Sequence, residues 1–194
     1  MKIQTRKQEI IHTAAILFKE KGYSAVTMRD IANEMGIKAA SLYNHIKSKQ
    51  EILNCIIVSL AEKFTKGMNT IVGNPISSIQ KLEAIIELHV NITTNNENEM
   101  ASLNADWMHL EEQLDYYLGL REDYENNFRS IIKDGINKHE IINLDVDVML
   151  FSILSTLRSL YLWIPKKEVC KPKQLAINLS KVLIRGIYLP QNLI

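Results

Sequence analysis

The chain has only two cysteines, Cys55 and Cys170, 115 residues apart and with no spacing suited to a metal. A disulfide framework and a zinc ribbon are both excluded by that arithmetic, and Cys55, set in an apolar helical stretch, is expected to be a buried, inert thiol. Glycine and proline are scarce as well, at 7 and 4 of 194 residues, which excludes fibrous and low-complexity architectures. No run of six residues alternates cleanly between apolar and polar within turn signals, so strands are not expected. About 18 consecutive apolar residues, the length needed to cross a bilayer, occur nowhere. The N-terminus leads into an amphipathic helix rather than a secretory apolar region, and a cytoplasmic protein with no membrane partner is expected. No nucleophile elbow, phosphate-binding Gly-rich loop or zinc-protease helix is present, and the pairs Glu111-Glu112 and Asp145-x-Asp147 read as a solvated face and a helix cap. Nothing therefore points to an enzyme or to a cofactor.

What remains is a chain that is 46% hydrophobic and 23% charged, with apolar residues recurring at helical spacing throughout. The expected class is all-α, with about nine helices. Net charge is only +1, but it is unevenly placed. Residues 1–50 carry nine Lys or Arg against four Asp or Glu, while the remainder carries fourteen against eighteen. A basic head on a mildly acidic body suits a protein of which one end meets phosphate. The sequence divides accordingly into a head, residues 1–48, and a body, residues 49–194.

In the head, residues 5–21 form a first helix around Ile10, Ala14, Leu17 and Phe18, stopped by Gly22. Its basic start, Lys2, Arg6 and Lys7, is placed to reach a DNA backbone or simply to meet solvent. Thr27 with Asp30 is a variant capping box opening a second helix, whose inward stripe is Ile31, Ala32 and Met35. Gly36 can take the left-handed conformation that ends it. Ile37 is expected as a buried plug at the turn, and Ala39 to His45 as a third helix. A small Ala39 lets the backbone approach another polymer, and Lys38, Ser41, Tyr43, Asn44 and His45 have no core role. Such a helix-turn-helix lays its last helix in the major groove of DNA, with Thr27 and Lys49 placed to meet phosphates at the two ends and Arg29 a further DNA-binding candidate. A plain helical hairpin with a polar outer face has the same outline.

The details favour the first reading. Thr27, Asp30 to Ala32, Gly36, Ser41-Leu42-Tyr43, His45 and Lys47-Ser48-Lys49, together with the preceding KGY-SAVTM run, resemble the DNA-binding motif of the TetR family of bacterial transcriptional regulators. One departure is Ile46, where the family most often has Phe. The resemblance implies a dimer that binds a palindromic operator on double-stranded DNA, most often as a repressor, and a C-terminal body with a small-molecule pocket. A dimeric DNA-binding protein without an effector is the alternative.

Lys49 begins a long fourth helix, to about Val72, which would join head to body as a rod. Five further helical segments follow from Pro75. The stretch Val146 to Ile164 is apolar on most sides and must be covered all round. With the last helix, from about Lys173 to Leu189, it is expected to build a two-fold four-helix bundle in a homodimer. The resemblance implies the same assignment. Candidate effector-binding residues are His89, Met100, Leu103 and Trp107, then Tyr124, Phe128, Phe151, Arg158 and Trp163, although for any one of them but Arg158 plain core is the favoured reading. Arg158, alone among apolar neighbours, needs an anionic partner: Asp106, Glu111 or a ligand carboxylate or phosphate. The run from Tyr116 to Gly135, with RxDYENNFRSIIKDG, is similar to TetR-like regulators that respond to acyl-coenzyme A esters. That makes acyl-CoA, or another hydrophobic compound, the expected effector. His89, His109 and Asp106 lack ligand spacing, and no metal is expected.

Overall fold

The first helices begin on side chains that cap them. Thr5 and Gln8 form a reciprocal capping box at the start of α1 (Arg6–Lys21), and Thr27 and Asp30 do the same for α2 (Met28–Glu34). Two of the orphan amides at each helix start thus gain acceptors. The computed structural model describes residues 5–164 and 171–185. Lys2, Pro165, Cys170 and Ile187 lie outside them. The described residues are all-α: after α2 come α3 (Ala39–Leu42), α4 (Lys49–Gly73), α5 (Ser78–Asn95), α6 (Glu97–Ala105), a 3-10 turn at Trp107–His109, α7 (Leu114–Asn137), α8 (Val146–Arg158), α9 (Leu160–Trp163) and α10 (Pro172–Arg185).

Packing gathers the chain into two compact units. The first takes the residues up to Glu62 together with Asn96–Leu118, and the second takes Lys63–Asn95 with the described residues from Gly119 onward. The sequence boundary at 48 divides roles, whereas packing adds the start of α4 and all of α6 to the head.

In the first unit, Ile10, Ala14, Phe18, Val26, Ile31, Leu42 and Ile46 form a core at or near zero exposure. α6 packs on α1, where His12 Nδ1 lies 3.1 Å from Glu99 and Lys19 donates to Asn98. Ile46 is 1% exposed, so it fills the core position on which the resemblance had put Phe. Ile37, expected to be buried, is half-buried. α3 is also shorter than expected: it ends at Leu42, and Tyr43 to His45 continue as turn, with the His45 and Ile46 amides both donating to Leu42 O. Cys55 is half-buried rather than enclosed.

In the second unit α5 packs on α10 and on α8. The helix expected from Val146 to Ile164 is broken at Ser159. Ser152, Thr156 and Ser159 each turn their hydroxyl back to the carbonyl four residues earlier, and the Ser159 amide is shared between Ser155 O and Thr156 O. Successive back-bonding of this kind loosens the helical ladder and bends it. Although Val146–Trp163 has a mean hydropathy of 1.3, only 33% of it is buried.

α7 ends in a tight junction. His139 takes φ 56°, the Glu140 and Ile141 amides return to Gly135 O, and Glu140 accepts the Ser78 amide at 2.7 Å to cap α5. A Cβ on Gly135 would lie 2.5 Å from Ile141 Cδ1 and 2.9 Å from Ser78 Cβ. Alanine gains about 1 kcal/mol of helix propensity over glycine, but overpacking costs about 1–3 kcal/mol. Gly135→Ala is therefore expected to lower the calorimetric melting midpoint. A midpoint that holds or rises would show the junction to be loose.

Candidate nucleic-acid interface and buried polar cluster

Leu42 and Ile46, four residues apart, point inward with at most 1% exposure. The register this fixes leaves Ser41, Tyr43, Asn44 and His45 on the outside, Tyr43 at 53% exposure. Arg29 and Lys38 are exposed too, and Ala39 is half-buried at the start of α3. Gly36, at φ 65°, makes the turn between α2 and α3. The outward row thus combines hydroxyl, amide, imidazole and phenol groups flanked by cations, the side-chain chemistry that reads base edges and phosphates.

Two of the residues expected to meet phosphate are engaged within the chain. The Lys49 ammonium donates to Tyr23 O at 2.9 Å and to Val26 O at 2.8 Å, with Ser24 O at 3.5 Å, and lies 4.3 Å from the centre of the Tyr23 ring. Its donors are spent on backbone carbonyls, so its observed role is to hold the loop between α1 and α2. Thr27 is likewise committed: its hydroxyl donates to Asp30 Oδ2 at 2.6 Å and accepts from the Asp30 amide. Hydrogen bonds from the Thr27 hydroxyl and the Thr27 amide hold the Asp30 carboxyl below the usual carboxylate range. Lys7 bonds Glu51 at 2.6 Å and Arg6 bonds Glu9, so the basic start of α1 is also paired.

The expected effector residues are divided between the two units. Met100, Leu103 and Trp107 belong to the first unit. In the second unit, His89, Tyr124 and Phe128 are buried, whereas Phe151 is 70% and Trp163 43% exposed. The last two are thus partly open to solvent rather than enclosed in the core. Arg158 pairs with Glu125 at 2.7 Å, not with Asp106 or Glu111. Sequence spacing alone hides that pairing, because the partners sit 33 residues apart on different helices. Burial pulls the Glu125 carboxyl upward, but hydrogen bonds from Arg158 and Arg121 outweigh it and leave it below the usual range. A groove of about 570 Å³ between α5 and α10, with Glu83, Glu87, Lys173 and Lys181 among its walls, contains none of the expected effector residues.

Beside Glu125, His89 Nε2 and the Tyr124 hydroxyl lie 2.9 Å apart in the interior, with the Phe64 ring 4.6 Å from the imidazole. Burial, together with the Arg158 charge, pulls the imidazole down to about 3, so His89 is neutral at physiological pH. His109 stacks on Tyr23 in the first unit. No cluster of three or more His, Cys, Asp or Glu able to hold a metal occurs among the described residues.

Comparison with known proteins places this geometry. Residues 10–56 match the family model for bacterial regulatory proteins of the tetR family, and residues 75–187 match the tetracyclin repressor-like C-terminal domain. The chain belongs to the TetR family. It is a DNA-binding transcriptional regulator, as are its relatives. One of these, the transcriptional repressor KstR2 of Rhodococcus jostii, is 28% identical over 147 residues, covering 75% of this chain and 72% of the relative. The solved structure of the ketosteroid regulator KstR2 of Mycobacterium tuberculosis superposes with a TM-score of 0.90 at 20% identity, over 96% of this chain and 97% of that one. AibR, solved with isovaleryl coenzyme A and operator DNA, gives a TM-score of 0.77 at 21% identity, over 92% and 97% of the two chains.

The buried histidine has a consequence for stability. A histidine whose folded pKa is depressed takes up a proton in the unfolded chain first, so stability is full above the unfolded value near 6.5 and falls as pH drops below it. The slope is about 1.4 kcal/mol per pH unit for one group. The melting midpoint is expected to fall between pH 7.5 and 5.5, and His89→Gln to flatten that fall. An equal fall in the variant would assign it to other groups.

Proposed function

We propose that this ligand-responsive DNA-binding repressor of the TetR family binds a near-palindromic operator on double-stranded DNA as a homodimer in the cytoplasm. Residues 1–48 read the DNA, and residues 49–194 dimerise and take the effector. The observation that carries the DNA reading is the register of α3, which buries Leu42 and Ile46 and turns Ser41, Tyr43, Asn44 and His45 outward. With Lys38, these four face the major groove; the small Ala39 allows close approach, and exposed Arg29 supplies a phosphate contact. Thr27 and Lys49 act by holding α2 and the preceding loop in place. Tyr43→Ala removes no core atom, and is expected to leave the melting midpoint unchanged while operator affinity falls at least about tenfold. Undiminished binding in a mobility-shift titration would remove Tyr43 from the interface.

Support for the dimer comes from α8 and α10. Val148 and Phe151 on the first, and Val182 on the second, are 60%, 70% and 73% exposed, apolar side chains that stand largely uncovered among the described residues. Pairing both helices with their copies would bury these faces in an isologous bundle. Two heads would then meet two half-sites. Phe151→Glu combined with Val182→Glu is expected to give a folded monomer in sedimentation and to lose operator binding. A dimer that survives both charges would place the interface elsewhere.

For the effector, the interior of the body and the RxDYENNFRSIIKDG run of α7 favour a hydrophobic, acyl-type compound, acyl-CoA included, whose binding releases the operator. Isovaleryl coenzyme A in the AibR complex, on the same fold, is a compound of that type. Native mass spectrometry of the purified dimer, followed by operator release on adding the mass found, tests this reading. Recovery of no such compound, and no release by acyl-CoA esters, would leave a dimeric DNA-binding protein without an effector.

A further inference from the structure

The interior of the second unit contains two polar atoms that lack a partner although they are fully shielded from water: Nδ1 of His89 and Oγ1 of Thr93. Both residues sit on α5, one turn apart, and so share a face of that helix. Thr93 is 0% exposed and His89 4%. A helical threonine normally returns its hydroxyl to the carbonyl of the preceding turn. Its neighbour Thr94 does so, donating to Val90 O at 2.9 Å, but the buried Thr93 does not.

The hydrogen count decides what is missing. His89 is neutral and has one N–H, and Tyr124 has one O–H, but only one hydrogen bond of 2.9 Å joins them. If the phenol donates to Nε2, the Nδ1–H is left over. If Nε2–H donates to the phenol oxygen, the phenol hydrogen is left over. Either tautomer leaves one donor unused, and the Thr93 hydroxyl supplies a second. Each unmet group costs about 1–3 kcal/mol. The positive charge of Arg158 acts on both His89 and Tyr124, which makes the locality favourable to an electron-rich atom.

We infer that His89, Tyr124 and Thr93 form the polar anchor of the effector site and that it takes an oxygen acceptor, an acyl carbonyl or a carboxylate. This rests on the reading of the body as an effector-binding domain and adds to it the group that is recognised. A bare hydrocarbon satisfies neither donor, and neither does a protonated amine, which has no lone pair to offer, whereas a carbonyl or carboxylate oxygen accepts from both without adding a hydrogen of its own. Thr93 was not among the residues the sequence suggested; as a threonine in a helical stripe it carries no signal until its missing partner is seen.

The test uses the full-length wild-type protein and three probes in titration calorimetry: octanoyl-coenzyme A, its S-octyl thioether analogue without the carbonyl oxygen, and octanoate. The expected result is that octanoyl-coenzyme A or octanoate binds at least about tenfold more tightly than the thioether; whichever does so identifies a carbonyl or a carboxylate as the source of the oxygen. Thr93→Val, which keeps the shape and removes the hydroxyl, is expected to shrink that preference and to raise the melting midpoint, since it deletes an unpaired buried group. A purely structural threonine predicts no change in preference. Failure of both octanoyl-coenzyme A and octanoate to bind more tightly than the thioether, or an undiminished preference in Thr93→Val, would overturn the inference. Operator binding by the same wild-type preparation, measured without probe, separates that failure from failure of the regulator reading.

Discussion

One ammonium group, that of Lys49, holds the DNA-facing surface in shape. α3 is four residues long, far below the length at which a helix stands alone in water. Its position is set by what surrounds it: Leu42 and Ile46 sink into the core, and the start of α4 is tied to the loop before α2 through Lys49 on the Tyr23 and Val26 carbonyls. The Tyr23 ring lies under the same ammonium and edge-on to Phe18, and its hydroxyl donates to Gln50, so α1, the loop and α4 meet at one tyrosine. Glu51 adds a further link, accepting from the Lys47 amide and from Lys7. Charge-assisted bonds of this kind are the stronger ones, and those of Lys49 and Lys7 tie segments distant in sequence. The outward row, in the groove-facing role proposed for it, needs that rigidity, because base-edge recognition depends on geometry.

The second unit keeps open ends on its surface and in its interior. Apolar side chains of α8 and α10 stand in solvent, and two polar atoms of α5 stand unpaired in the interior. Both conditions cost free energy in an isolated, empty chain. In the proposed reading each is relieved by something the chain binds: a second copy for the outer face, an effector for the inner atoms. A regulator gains from this arrangement, since a site stable when empty would have little to change on filling.

Most of the head could be read from residues alone. The capping pair Thr27 and Asp30, the left-handed Gly36, the stripe of Ile31 and Ala32 and the outward row after Ala39 are local signals, and local geometry realises them. What could not be read depends on contacts between distant segments. Lys49 looks like a surface cation until the carbonyls 23 and 26 residues earlier close around it. Arg158 signals a need for an anion, but only packing selects Glu125 over the other acids. Phe151 has the hydrophobicity of a core residue, and only the helix register shows it facing out. The break at Ser159 arises from hydroxyl-to-carbonyl bonds that compete with the ladder, which apolar spacing does not report.

The central claim is that the row on and after α3 enters the major groove at two places, once for each copy. Methylation interference on a bound operator tests it directly, because methyl groups on guanine N7 block the major groove and those on adenine N3 block the minor groove. The account predicts two clusters of N7 interference, centred about one helical turn or a multiple of it apart and related by the operator's two-fold symmetry. A single cluster, or interference confined to adenine N3, would contradict it.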